Sequence, residues 1–167
     1  MDRGGGGNCP FRREVTSETA LTGLARLIRR VHDASALFRP SPGTWNDFLA
    51  DPSGSEEIVC HNDLSVPNTI YRADQPVALV DWEFAAPGSR LWDLAYASWW
   101  CVPLHRPECS LALGWPSGME LPVRLRLFCD AYGLSRSDRH RLLDVLHERQ
   151  LANQRQLHLW VEQGVIP

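Results

Sequence analysis

His61-Asn62-Asp63-Leu64-Ser65-Val66-Pro67-Asn68, followed by Val80-Asp81-Trp82-Glu83, is the stretch on which the fold of this chain turns. Asn68 follows Asp63 at the fifth position, and Asp81 follows Asn68 at the thirteenth. Together they supply a carboxylate, an amide oxygen and a second carboxylate, each on a loop beside a short apolar run. Phosphoryl transfer draws on such a set. One acid orients and deprotonates the attacking hydroxyl, while an Asn and another Asp hold Mg²⁺ against nucleotide phosphates.

The apolar runs around these loops are strand-like. Ile58-Val59-Cys60 ends at His61, and Thr69-Ile70-Tyr71 and Val77-Ala78-Leu79-Val80 follow. Ala73-Asp74-Gln75-Pro76 joins the last two as a hairpin connection. Asp63 and Asn68 then lie in the loop entering the hairpin, and Asp81 lies where it ends. A hairpin brings its two ends together, so Asn68 and Asp81 can share one metal ion.

Farther out the pattern is helical. Ser17 can cap a helix in which Leu21, Leu24, Ile28 and Val31 recur at helical spacing. Arg39 to Gly43, with two prolines, ends it, and a short helical turn is expected around Trp45 to Leu49. After Pro87-Gly88, Leu91 to Cys101 is apolar nearly all round. That predicts a buried helix with Trp92, Trp99 and Trp100 in the core, the alternative being an aromatic cage for a quaternary ammonium. Pro103, Pro107 and Pro116 mark a loop. Leu121 to Tyr132 is a further helix stopped by Gly133, and a long one runs from about Ser137 to Gln163. The expected fold is α+β and mostly helical, with one small hairpin. Residues 1–16 are expected to be a flexible N-terminal arm and residues 17–167 a single domain.

Composition narrows the functions. A chain of 167 residues suits one domain with a hydrophobic core. The net charge of −3, with acids and arginines interspersed, excludes a basic nucleic-acid footprint. The longest apolar run, Leu94 to Leu104, contains Ser98 and Pro103 and is too short to span a bilayer. Met1-Asp2-Arg3-Gly4 has no signal-peptide character, so the default expectation is the cytoplasm. The five cysteines are scattered, and most of them read as small buried residues. His140 and His147 share a helical face but have no neighbouring thiols or acids to complete a zinc site.

At His61, Asp63, Asn68, Val80-Asp81-Trp82-Glu83 and Asp93, the chain resembles the aminoglycoside phosphotransferase and choline kinase group of kinase-like enzymes. Gly88-Ser89-Arg90-Leu91-Trp92-Asp93-Leu94-Ala95-Tyr96 and Arg29-Arg30-Val31-His32-Asp33 also look like this group. The resemblance covers roughly Ser17 to Gly164 and implies a protein-kinase-like C-terminal lobe whose hairpin carries the catalytic and metal loops. It implies that Asp63 is the catalytic base and that Asn68 and Asp81 ligate Mg²⁺, with ATP or GTP as donor. It implies that His61 is a structural prop and that Asp93 braces the catalytic loop by accepting backbone N–H bonds. Glu83 is assigned to the substrate or a second metal. Each assignment has a plainer counterpart: Asp63 as a turn residue, Asp93 as a helix cap, Glu83 as a solvated acid.

The resemblance also shows what these 167 residues do not contain. The N-terminal lobe of kinase-like enzymes carries a phosphate-covering loop and a lysine that pairs with phosphates. All seventeen Lys and Arg residues here are Arg. The glycines at 4–7 are not such a loop, because it requires a strand before it and a Lys-bearing strand after it. The expectation is therefore an isolated lobe that binds Mg·ATP weakly and is inactive or weak alone. Its exposed lobe interface is expected to meet a separately supplied N-terminal lobe or to self-associate.

Two functional classes follow. The first is an ATP- and Mg-dependent phosphotransferase acting on a hydroxyl of a small molecule, aminoglycoside-like or an amino alcohol. The second is a non-catalytic binding module or degenerate remnant, which the missing lysine favours. A metal-dependent hydrolase using the same acids is a third, weaker idea. Glu83 and Asp130 are the acids expected to attract a cationic substrate.

Overall fold

The computed structural model describes residues 13–38, 43, 45–46 and 48–165. Among the described residues it is an α+β structure with six helices and two small two-stranded antiparallel sheets. Of the expected arm, residues 1–12 lie outside the described residues, and Arg13–Thr16 forms a single helical turn, α1. The break assigned to Arg39–Gly43 lies outside them except for Gly43.

Helix α2, Glu18–Ser35, is capped by the Ser17 hydroxyl, which accepts from the Ala20 N–H at 3.0 Å. That bond satisfies one of the donors left free at any helix start. The helix buries Leu21, Leu24, Leu27 and Ile28. Packed against it is α5, Leu121–Tyr132, which ends where Gly133 takes φ +86°. A left-handed residue is the common way to stop a helix, and only glycine adopts it freely.

Strand β1, Ile58–Cys60, ends at His61 and pairs with β4, Ala86–Gly88. The expected hairpin is β2, Thr69–Arg72, against β3, Gln75–Leu79. Its connection is shorter than expected, because Gln75 and Pro76 pair with Arg72 and Tyr71 and leave Ala73-Asp74 to turn the chain. Sequence reading missed β4, since Pro87 and Gly88 both discourage strands. They are tolerated on a two-stranded ladder, where the proline needs no second partner. Gly88 is required there for space. A Cβ on it would sit 2.7 Å from Cys60 Sγ and 3.0 Å from Asp51 Cβ.

Ser89 caps α3, Arg90–Cys101, with its hydroxyl accepting from the Trp92 N–H. Asp51 in turn accepts from both the Ser89 hydroxyl and the Ser89 N–H, at 2.6 and 2.8 Å. Helix α4, Pro107–Ala112, occupies part of the expected proline loop. Pro107 starts it, which a proline at the first helical position does well. The last helix, α6, is Arg136–Glu162, capped by Ser135. Around Trp45–Leu49 the described residues form a turn at Phe48-Leu49 and no helix.

One core joins α2, α3, α5 and the first half of α6, with Leu24, Ile28, Leu94, Phe128 and Leu142 at its centre. Trp92 is buried and Trp100 is half-buried against the main core, while half-buried Trp99 is not part of that core; Trp99 and Trp100 also line a pocket. The hairpin and the segment after it leave Ile70, Val77, Val80 and Trp82 exposed. Among the described residues no helix is long and apolar enough to cross a membrane.

Candidate active site

The loop after β1 begins with a strained residue. Asn62 is buried and has φ +64°, a conformation that non-glycine residues adopt at a cost and that Asn tolerates best. Four bonds hold it and its neighbour there. Asp93 accepts from the His61 N–H and the Asn62 N–H, each at 2.8 Å. The Asn62 side-chain amide donates to the Phe84 carbonyl at 2.9 Å. The Asn62 carbonyl accepts from the Arg149 guanidinium at 2.6 Å.

Asp93 is completely buried in the first turn of α3. Burial would raise its pKa, but the His32 bond and the His61 backbone bond outweigh that and hold the carboxyl below its ordinary value. His32 Nε2 lies 3.1 Å from Asp93 Oδ2, and His32 Nδ1 lies 2.8 Å from the Tyr132 hydroxyl. A carboxylate can only accept, so His32 donates from Nε2. The β1–loop junction is thus clamped through α3 to α2 and α5.

His61 has both ring nitrogens engaged. Nε2 meets the Val80 carbonyl at 2.9 Å, and the Asp63 N–H lies 3.3 Å from Nδ1. Carbonyl oxygens only accept and backbone N–H groups only donate, so Nε2 donates and Nδ1 accepts in these bonds. That leaves no nitrogen to take a proton from a substrate. The ring also lies 4.5 Å from the Trp82 ring, tying the loop to the segment after β3.

Asp63 and Asn68 are in direct contact. Asn68 Nδ2 donates to Asp63 Oδ2 at 2.6 Å and to the Asp63 carbonyl at 2.9 Å. With its nitrogen so committed, the amide presents its oxygen elsewhere. The Val80 N–H donates to the Asn68 carbonyl at 3.0 Å, which joins the two ends of the hairpin. Asp81 follows at once, exposed and at φ +66°, a second left-handed residue. Glu83 is exposed, and its carbonyl is held by the Asn46 amide at 3.0 Å.

The donor set suits a hard cation. Asn68 could contribute an amide oxygen and Asp81 a carboxylate, oxygen donors of the kind Mg²⁺ takes together with water or phosphates. Among the described residues no three His, Cys, Asp or Glu side chains form a metal cage of their own. A cation held there would need further oxygens from water or a ligand.

Asp63 also opens into a pocket of about 370 Å³ between α3 and the second half of α6. Tyr96, Trp99, Trp100 and Trp160 supply rings to its wall, and Gln150, Asn153 and Gln156 supply amides. Burial first, then the neighbouring Asp63 carboxylate, push the Tyr96 hydroxyl pKa up. A larger cleft of about 550 Å³, between the 51–57 loop and the start of α6, contains none of Asp63, Asn68 and Asp81. Of the three, Asp63 alone lines the smaller pocket, with Asn68 bonded to it from outside the wall and Asp81 also outside it.

Arg149 is the residue that sequence reasoning missed. It is fully buried, with Trp92 and Tyr96 ring centroids at 4.9 and 4.8 Å. Its signal was present: an arginine in step with Leu142, Val145 and Leu146 on the inward face of α6. Asp130, expected to attract a cationic substrate, is instead paired with Arg139 and is not in the pocket wall, and neither is Glu83.

The chain matches the model of a phosphotransferase enzyme family over residues 11–127. A trifolitoxin immunity protein from Rhizobium leguminosarum bv. trifolii is 33% identical over 132 residues, covering 78% of this chain and 51% of the relative. The chain thus spans about half the length of that relative. No solved structure matches it.

Proposed function

The chain belongs to the phosphotransferase enzyme family, and from that membership we propose that it is the C-terminal, catalytic lobe of an ATP- and Mg²⁺-dependent enzyme that phosphorylates a hydroxyl of a small molecule. Contact between Asp63 and Asn68 at the mouth of a pocket carries this reading. Asp63 faces the pocket and takes the acceptor's proton as the oxygen attacks. Asn68 fixes the Asp63 carboxylate through its nitrogen and offers its oxygen, with Asp81, to the metal. Bound Mg²⁺ would neutralise the phosphate oxygens of ATP or GTP. His61 and Asp93 hold the loop in shape and do not touch the substrate. Glu83, exposed and unpaired through its side chain, is left as a contact to the substrate's outer end or to a second metal.

These 167 residues hold no lysine to grip phosphates. Electrostatic stabilisation depends on fixed charges in a site closed to water. This lobe alone therefore binds nucleotide weakly and turns over little. The exposed apolar face of Ile70, Val77, Val80 and Trp82 is where a second lobe, or a second copy, would pack. The relative's name connects that protein with immunity to a toxin. Carried to this chain, the acceptor would be a small toxic molecule disabled by phosphorylation. The missing lysine favours the second reading, a binding module that sequesters such a molecule without reaction.

Calorimetry of the 167-residue chain with ATP, with and without Mg²⁺, tests the proposal. The expected result is weak binding that requires Mg²⁺ and is lost in Asp81→Ala and Asn68→Ala. Binding indifferent to Mg²⁺ and to both substitutions would overturn it.

A further inference from the structure

We propose that the acceptor taken by the pocket beside Asp63 is an uncharged molecule with a flat ring near its hydroxyl, not a polycationic amine. The role of Asp63 in this inference rests on the phosphotransferase reading; the ligand class rests on the pocket's own wall.

Among the described residues lining the pocket, Asp63 is the one carboxylate. It is already bonded to Asn68 and is reserved for the hydroxyl proton. A site for a molecule with several ammonium groups needs several acids, and the nearest candidates are elsewhere. Asp81 and Glu83 are exposed and outside the wall, and Asp130 is spent on Arg139. An aromatic cage for one cation is also disfavoured. The Arg149 guanidinium, 4.8 Å from the Tyr96 centroid, already occupies a face of that ring with positive charge. It is fully buried, so water screens it little.

What the wall does offer is ring surface and neutral hydrogen-bonding groups. Trp99, Trp100 and Trp160 provide flat apolar area suited to stacking. Gln150, Asn153 and Gln156 recur three residues apart, so they share one face of α6. The Asn153 side-chain oxygen is taken by Arg149, leaving its NH₂ to donate. The Gln150 side-chain nitrogen is buried with no partner. A buried donor left without an acceptor calls for one from a ligand or a water. A carbonyl or ether oxygen of a neutral ligand answers that need, and an ammonium cannot.

Saturation-transfer NMR on the 167-residue chain tests this with three probes: N-acetyl-tyrosinamide, kanamycin and choline. The first is neutral, ring-bearing and hydroxylated; the others are cations. The expected result is saturation of the N-acetyl-tyrosinamide ring protons and little of either cation. Trp99→Ala should lower that signal roughly tenfold, as loss of a stacking ring does. Gln150→Glu adds a carboxylate at nearly constant volume and should shift preference toward the cations, which keeps the test valid if Trp99→Ala fails to fold. Stronger saturation of kanamycin or choline on the native chain, or none of the neutral probe, overturns the ligand class. No nucleotide is needed. Binding of the neutral probe without any Mg²⁺-dependent nucleotide binding would overturn the phosphotransferase reading and leave the ligand class standing.

Discussion

The Arg149 guanidinium donates to the Asn62 carbonyl at 2.6 Å and joins two positions 87 residues apart. The contact ties the last helix to the loop that carries Asp63. Asn62 sits at φ +64°, and a strained residue persists only where its surroundings over-determine it. Removing the guanidinium leaves that carbonyl buried without a donor, at a cost of roughly 1–3 kcal/mol. Arg149→Met should therefore lower thermal stability by about that amount. Arg149→Lys should not restore it, because an ammonium cannot fill the flat slot between Trp92 and Tyr96. Thermal unfolding of the two variants checks this, and a native-like Tm for Arg149→Lys would contradict it.

Asp93 makes an acid-sensitive clamp. Burial opposes its ionisation, yet bonds from His32 and the His61 backbone keep its folded pKa below the ordinary value. A group with a depressed folded pKa contributes fully above its unfolded value, about 3.9 for Asp. That contribution is lost as pH falls through the folded pKa. Stability should thus decline on acidification below about pH 4. Asp93→Asn should be less stable at neutral pH and show a flatter acid limb. Asp93→Ala, which strands His32 and two backbone N–H groups, should cost roughly 3–5 kcal/mol. Urea unfolding across the pH range measures both.

Gly88 is held to its identity by space. Its missing Cβ would lie 2.7 Å from Cys60 Sγ and 3.0 Å from Asp51 Cβ. Gly88→Ala should cost roughly 1–3 kcal/mol by forcing β1 and β4 apart. Much of the loss should be recovered when Cys60→Ala is made in the same chain, since the closest clash is with that sulfur. A double-mutant cycle by chemical denaturation reads the coupling, and strictly additive losses would contradict the geometry.

The proposed base has a kinetic signature. In a form of the enzyme carrying an N-terminal lobe, Asp63→Ala should lower kcat by on the order of 10²-fold or more. Release of label from γ-³²P ATP to the acceptor measures it. Unchanged turnover would remove Asp63 from the chemistry.

The hairpin and most helices were legible because their signals are local. Ser17 and Gly133 cap and stop helices by short-range bonding, and the run from Ile58 to Leu79 alternates between apolar segments and turn residues. What was not legible depends on distant partners. Strand β4 exists because β1 lies beside it, which Ala86-Pro87-Gly88 alone cannot announce. Trp99 and Trp100 look like core on a helix apolar all round, and only the course of α6 leaves a pocket against them. Asp63, Asn68 and Asp81 could be picked out by spacing. Asn62 could not, because its importance lies in a strained φ; the spacing of Arg149 places it on the inward face of α6, but its contact with the Asn62 carbonyl across the fold leaves no mark in the sequence.

In the proposed site, Asn68 and Asp81 meet one divalent ion at the end of the hairpin. Titration of Mn²⁺·ATP into the ¹⁵N-labelled chain tests this directly, since the paramagnetic ion broadens nearby amides first. Selective loss of the Asn68, Val80, Asp81 and Trp82 signals is the predicted result. Broadening centred on the acids of the larger cleft, Glu57 and Asp138, with Asn68 and Asp81 unaffected, would contradict it.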